Sequence, residues 1–491
     1  MKNLILCVLT ILMFSACTEN SNIGQYYGAK FPLELPEGSM EGKDVSFGYV
    51  TVPEIHGSSN GNTMEVAVAV FHSYSETPAP EPLILLSGGP GSSNINTFTP
   101  LLCGDAGKLL RSNRDVVLIE IRGSYFSLPN LNCPEVFKCE EEITKLDLPV
   151  NEMLAYMTKS VEQAHKRFEE AGINLAAFNN SEIADDIDMV MKALEYEKYS
   201  IFGFSAGTIT VQYLLERYPE SLHAAVMTGV VSLEENLAAS SANTIATLES
   251  IFEICEKDEI YRTAYPALES RFLHMLDSLN ENPAPVELTD ENGDVFTYNV
   301  TGDKITRWLT FDMYVNNQVP LTVSKFLKGD YSDLTSSVNN ATPLETFCHG
   351  LSFSIMAVEF VSSMSNNYPY NEKYETFYNG LKTAWHSPQF NLKMAEVWDV
   401  EPLDLNEQPI VSNVPTLMLC AEFDIVCPPK YAEELATGLS NSHLYVFKGL
   451  THTQVAMTPC LLMMMHEFTN DPSKAPDDSC VKQYQNEFVT K

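Results

Sequence analysis

The sequence predicts an α/β protein whose mostly parallel central sheet is interrupted by one long, mainly helical insertion. Short apolar runs at Pro82 to Leu86, Asp115 to Ile121, Tyr199 to Phe202 and Ala224 to Thr228 alternate with helical stretches. Runs of this kind suit strands covered by helices on both faces, and their alternation with helices predicts parallel pairing. The alternation fails between about Ser232 and Asn406, then resumes at Pro415 to Glu422 and His443 to Phe447. Finally, Gly203-Phe204-Ser205-Ala206-Gly207 lies between an apolar run and a helix-like stretch, Thr208 to Tyr218, and so reads as strand, sharp turn and helix.

Taken in order, Val45 to Val52 and Met64 to Phe71 alternate between two faces around the turn-rich segment 57–62, which predicts an antiparallel hairpin. The strand at Pro82 to Leu86 ends in Ser87-Gly88-Gly89-Pro90-Gly91, a loop whose backbone N–H groups can approach a ligand closely. Residues 153–171 have helical spacing, and Ser181 is placed to cap a helix running to about Tyr196. In the insertion, helices are expected at Ala242 to Ile260 and Tyr265 to Leu279, and the second is closed off by Asn282-Pro283-Ala284-Pro285 and the turn-rich Asp290 to Asp294. The resulting division is 1–16 as an export signal, 17–231 as the first part of the core, 232–406 as a helical cap and 407–491 as the last part of the core.

With 491 residues, 45% of them hydrophobic, the chain can bury a large core without staples. Its 65 acids against 30 bases give a formal charge of -35, spread along the chain. Such a surface repels nucleic acid and anionic lipid headgroups and can draw in cationic peptides, while for most of these charges the expectation is a solvated surface with no partner.

At the start, Lys2, the apolar run Leu4 to Phe14 and Phe14-Ser15-Ala16-Cys17 form an export signal too short to span a bilayer. Small residues before Cys17 resemble a bacterial lipobox, which implies cleavage before Cys17 and lipid on its sulfur; an ordinary secretory signal is the alternative. The expectation is a cell-envelope lipoprotein, periplasmic or on the outer-membrane surface, that touches the membrane through its lipid alone. Setting aside Cys7 and Cys17 leaves nine of the eleven cysteines, so at least one is free. Export makes disulfides the default, with Cys133 to Cys139 and Cys255 to Cys348 as plausible pairs. Neither a CxxC nor an HExxH motif is present, so no metal is expected.

The chemistry follows from Ser205. A serine hydroxyl is a weak nucleophile unless a histidine takes its proton and a carboxylate holds that histidine in the right tautomer. After a GxSxG elbow the partners follow the last core strands, acid first. Asp424 directly follows the strand Pro415 to Glu422, and His452 follows His443 to Phe447. The N–H groups of Gly89 and Ala206 are the expected oxyanion donors.

These residues carry a resemblance to the prolyl and tripeptidyl aminopeptidase family of α/β hydrolases. Ser87 to Gly91 resembles the family's HGGPG loop, Glu120-Ile121-Arg122-Gly123 its DQRG, Gly203 to Thr208 its GxSYGT, and Val414 to Pro429 its VPTLxLxGExDPVTPP segment. The resemblance implies the α/β-hydrolase fold with a helical cap, a disulfide between Cys460 and Cys480 like that of the tripeptidyl branch, and a cap acid, at Glu359, that holds the substrate's free α-amino group. A salt bridge within the cap is the other reading of Glu359, and Glu234 and Glu235 are further acids near the cap entrance. Arg122 is expected to pair with an acid beneath the oxyanion loop. Ser87, Ile121, Tyr125, Ala206, Ala357 and Thr453 depart from the family pattern, which bears on the acyl pocket and hence on the peptides accepted. The expected activity is that of a serine exopeptidase acting on short peptides with a free amino terminus, without a cofactor. A carboxylic ester hydrolase, or a catalytically silent peptide-binding lipoprotein, is the alternative.

Overall fold

In the computed structural model the described residues are 22–35, 42–146, 148, 150–233, 239–289, 293–339, 345–361, 369–382, 387–403 and 409–490. Residues 1–16, expected to form an export signal, and Cys17, Glu234 and Glu235 lie outside them.

A nine-stranded sheet runs through the molecule in the order β1-β2-β3-β5-β4-β6-β7-β10-β11. Its strands are β1 (Tyr26–Gly28), β2 (Val45–Pro53), β3 (Thr63–Phe71), β4 (Leu83–Leu86), β5 (Val116–Glu120), β6 (Tyr199–Phe204), β7 (Leu222–Thr228), β10 (Thr416–Ala421) and β11 (Ser442–Phe447). β1, β2, β3 and β5 pair antiparallel in succession. From β5 through β4, β6, β7 and β10 to β11 every pairing is parallel. The central strands are buried at nearly every position because both faces are covered. Along β5, Val117 and Ile119 join the core on one face, Val116 and Leu118 the core on the other. Burying each such side chain contributes about 1.5–3 kcal/mol.

Between β7 and β10 the described residues are mainly helical, with long helices at Ser240–Lys257, Leu268–Glu281 and Gly302–Val315, and they depart from expectation in two places. Residues read as a break between helices form a hairpin, β8 (Ala284–Thr289) and β9 (Val295–Val300), which stands apart from the main sheet. The helix expected to end near Ile260 stops at Lys257, and Asp258 caps a second, short helix through the N–H groups of Ile260 and Tyr261. The helix assigned to a Ser181 cap is Asn180–Ala193, capped instead by the Asn179 side chain.

Cys460 and Cys480 form a disulfide, Cα atoms 5.8 Å apart. Cys133, Cys139, Cys255 and Cys348 are instead buried free thiols, contrary to both expected pairings. For the first pair the helix Pro134–Lys145 is the reason: Cys133 is its N-cap, and six residues of helical rise separate the two Cα atoms by about 9 Å, beyond disulfide reach. Arg122 is buried with all of its donors satisfied, by a bidentate pair with Asp186 (2.7 and 2.6 Å) and by the carbonyls of Pro53, Glu54 and Ala177. This ties β2 and β5 to the helix Asn180–Ala193. Among the described residues no helix is long and apolar enough to cross a membrane.

Candidate active site

β6 delivers Ser205 into a turn with φ at +52°, a left-handed conformation costly for any residue but glycine. The flanking glycines permit it. A Cβ on Gly203 would lie 2.8 Å from the Gly207 carbonyl oxygen, and one on Gly207 would lie 2.7 Å from that of Ser87. Ser205 N–H bonds to the Thr228 carbonyl (2.9 Å), which fixes the turn against β7.

His452 opens the helix His452–Ala456, whose start is fixed by reciprocal capping between Thr451 and Gln454. Its Nε2 is 3.0 Å from Ser205 Oγ and its Nδ1 is 2.7 Å from Asp424 Oδ2. The second carboxylate oxygen of Asp424 accepts the N–H groups of Val426 (3.0 Å) and Cys427 (2.7 Å), so the carboxylate is held by the turn after β10. Asp424 is fully buried, and Ser205 and His452 nearly so. A hydroxyl, an imidazole and a buried carboxylate joined in this order can pass a proton from the hydroxyl to the ring while the carboxylate stabilises the imidazolium.

The imidazole is packed on two sides. Phe204 lies 5.0 Å away, centroid to centroid, and Tyr314, from the helix Gly302–Val315, meets it edge-on at the same distance. The Tyr314 carbonyl accepts hydrogen bonds from the hydroxyls of Thr451 (2.9 Å) and Thr453 (3.0 Å). Thr453 thus has a use of its own where the resembled family carries glycine. Sequence reasoning missed Tyr314, since nothing local distinguishes it on its helix.

The glycine loop after β4 lies against the serine. A Cβ on Gly88 would stand 2.5 Å from the Ser205 Cβ, and Gly89 has φ at +56°. Ala206 is the N-cap of the helix Gly207–Arg217, where the first N–H groups have no intrahelical partner. Asn94 holds the loop. Its Oδ1 accepts both the N–H and the hydroxyl of Ser87 (2.7 and 2.6 Å), and its Nδ2 donates to Ile119 of β5 (2.6 Å). Beneath it the fully buried Glu120 accepts the Ile95 N–H (3.0 Å), and burial pushes its carboxyl up to about 7. Further along, the Cys348 N–H bonds to the Gly91 carbonyl (2.8 Å), joining the insertion to the loop. Asn94 was also missed, although its place at the start of the helix after the glycine loop was a usable signal.

Ser205, Ala206, Gly88, Gly89 and His452 open into a cavity of about 510 Å³, within the range of small-molecule sites. Phe311, Phe347, Phe353, Met356 and Phe360, all from the insertion, line its apolar wall. Glu359 does not. It lies fully buried behind that wall, its two oxygens accepting the N–H and the side-chain amide of Asn180 (2.6 Å each), and burial lifts its carboxyl to about 7. Neither the amino-group contact nor the salt bridge considered for it matches this placement.

Asp424, Cys427 and His452 bring an oxygen, a sulfur and a nitrogen within 4.8 Å of one another, close enough for a metal. The donor set is a poor one. Asp424 and His452 are engaged with each other, and burial together with the Asp424 charge raises the Cys427 thiol far above its ordinary range, against the thiolate a metal needs.

Comparison with known proteins agrees with this architecture. A family model described as the alpha/beta hydrolase fold matches residues 81–249, and one described as TAP-like protein matches residues 387–480. The serine protease Hip1 of Mycobacterium tuberculosis (strain ATCC 25618 / H37Rv) is 23% identical over 211 residues, which are 40% of this chain and 37% of that protein. The match therefore spans well under half the length of that relative. Among solved structures, a proline iminopeptidase of Mycobacterium smegmatis is 13% identical with a TM-score of 0.39, over 86% of this chain and 98% of the other. MGS-M2, an alpha/beta hydrolase enzyme from a deep-sea metagenome library, is 9% identical with a TM-score of 0.38, over 84% and 96%. Neither structural likeness is close enough to bear on function. The two family models, the parallel sheet and the serine turn at its centre agree: the chain has the α/β-hydrolase fold, with a TAP-like segment over residues 387–480.

Proposed function

We propose that this protein is a serine exopeptidase that cleaves short peptides near a free amino terminus. The observation that carries the reading is the hydrogen-bonded chain Ser205–His452–Asp424 at the floor of a cavity walled by the insertion. Ser205 Oγ attacks the scissile carbonyl as His452 Nε2 takes its proton, and Asp424 holds the ring and stabilises its charge. The developing oxyanion is met by the N–H groups of Gly89 and Ala206. His452 then protonates the leaving amine, and a water activated by the same nitrogen releases the acyl group from Ser205. A cavity walled by the insertion would admit a chain end more readily than a folded polypeptide, which favours exo-cleavage. The TAP-like match and the serine protease relative support peptides over esters as substrates.

The test uses protein lacking residues 1–17 against free and N-acetylated mono-, di- and tripeptidyl arylamides and short acyl esters, with Ser205→Ala as control. Turnover of free-amino arylamides, lost in the variant, supports the proposal. Ester cleavage with every arylamide intact replaces it with an esterase, and silence on both points to a binding protein. Envelope anchoring through lipid on Cys17 belongs to the same proposal. It predicts a lipid-modified Cys17 peptide in membrane extracts and release of the protein by Cys17→Ala.

A further inference from the structure

We propose that Asn391 donates a hydrogen bond from its side-chain amide to a main-chain carbonyl of the substrate, one that precedes the bond to be cut; this rests on the exopeptidase reading above. Asn391 lines the cavity and is 7% exposed, yet its Nδ2 is buried with no acceptor among the described residues. A buried donor left without a partner is costly and uncommon in a folded protein. An acceptor that enters the cavity would remove that cost.

The amide is positioned by structure that makes no use of it. Asn391 lies at the start of the helix Pro388–Trp398, where Ser387 caps the Phe390 N–H with its hydroxyl (3.1 Å) and accepts the N–H of Asn391 itself on its carbonyl (3.1 Å). At the far end Trp398 Nε1 donates to Ser354 Oγ (2.8 Å), which ties this helix to the helix His349–Ile355. That helix and the turn Met356–Phe360 both pack against it and give the cavity Phe353, Met356 and Phe360. In such largely apolar surroundings a hydrogen bond is weakly screened and correspondingly strong. The last torsion of an asparagine side chain is broad, so Nδ2 can turn to meet an acceptor in the cavity.

The layout of the site decides which carbonyl is met. The scissile carbonyl oxygen belongs to Gly89 and Ala206, and the leaving amine must face His452, which the helix Gly302–Val315 covers through Tyr314. The acyl part of the substrate takes the remaining direction, away from His452. There Cys348, the N-cap of the helix His349–Ile355, is bonded to Gly91, so this helix and the helix of Asn391 are joined to the glycine loop. An acyl group of a single residue has no carbonyl besides the scissile one and leaves Asn391 unpaired. A peptidyl group brings the acceptor, and Asn391 thereby selects for it.

The experiment measures kcat/KM of wild type and Asn391→Leu on leucyl, alanyl-leucyl and alanyl-alanyl-leucyl arylamides, free and N-acetylated, together with the thermal unfolding of both proteins. The ratio of a peptidyl to the leucyl value is taken within one preparation, so the fraction of folded enzyme cancels. The expected result is a wild-type ratio above one that falls about 10-fold or more in Asn391→Leu, mainly through KM. The melting temperature of the variant should hold or rise, because the change removes a donor that the fold leaves unpaired. An unchanged ratio, whether the rates hold or drop together, overturns the assignment, and a falling melting temperature beside it marks the amide as structural. If wild type cleaves the N-acetylated substrates as readily as the free ones, the exopeptidase reading is what fails, while the ratio still reports on Asn391.

Discussion

The edge of the Tyr314 ring meets the imidazole of His452 with centroids 5.0 Å apart and planes at 75°. This couples the insertion to the proton-transfer group, because the same tyrosine's carbonyl is bonded by the two threonines that flank His452. The insertion thus holds the reaction centre in place as well as walling the cavity. Tyr314→Ala should lower kcat by about 10- to 100-fold through misplacement of the ring. Steady-state kinetics check this; an unchanged kcat would mean that the core alone holds His452.

Asp424→Asn keeps the shape of the site but leaves Nδ1 of His452 without its acceptor, which favours the wrong tautomer. The expected loss in kcat is about 10⁴-fold. Adding Ser205→Ala to it should cost little beyond the serine change alone, since the residues act as a unit. Burst kinetics on an activated substrate measure both.

Gly88→Ala would place a methyl 2.5 Å from the Ser205 Cβ, so either the loop or the serine must move. Losing one oxyanion donor costs about 10²- to 10³-fold in kcat, and this change should cost at least that much. Asn94→Ala, which frees Ser87 from its shared acceptor, should have a smaller effect of the same kind. Rates for the two variants, set beside their thermal unfolding, separate displacement of the loop from loss of fold.

Burial lifts the Glu359 carboxyl from its ordinary 4.5 to about 7. The folded protein then keeps a proton that the unfolded chain has released, so this group's contribution to stability is full below pH 4.5 and is lost as pH rises through 7. The loss is on the order of 3 kcal/mol for a shift of this size. Glu359→Gln, which cannot ionise, should flatten the fall in melting temperature between about pH 5 and about pH 7.5, leaving the similar contribution of Glu120. Unfolding curves of wild type and variant across that range check this; parallel curves would refute it.

The elements that proved legible were those with one dominant constraint. β4, β5, β6 and β10 are buried on both faces and read as mainly apolar runs, while β2 and β3 announce themselves by alternation. That Ser205, Asp424 and His452 come together was legible because each follows a strand of one parallel sheet. The β8–β9 hairpin was missed because much of it is exposed and its prolines looked like a break between helices. Glu359 was misplaced for a geometric reason. It sits in a π-helical turn, Met356–Phe360, whose larger number of residues per turn rotates Glu359 away from the face on which Met356 and Phe360 line the cavity.

The central claim is that Ser205 is the nucleophile. Peptide mapping after labelling with a fluorophosphonate tests it most directly. The account predicts a single stoichiometric adduct on the peptide containing Ser205, formed much more slowly in Asp424→Asn and absent from Ser205→Ala. An adduct on another residue, or an unlabelled protein that still hydrolyses arylamides, would contradict it.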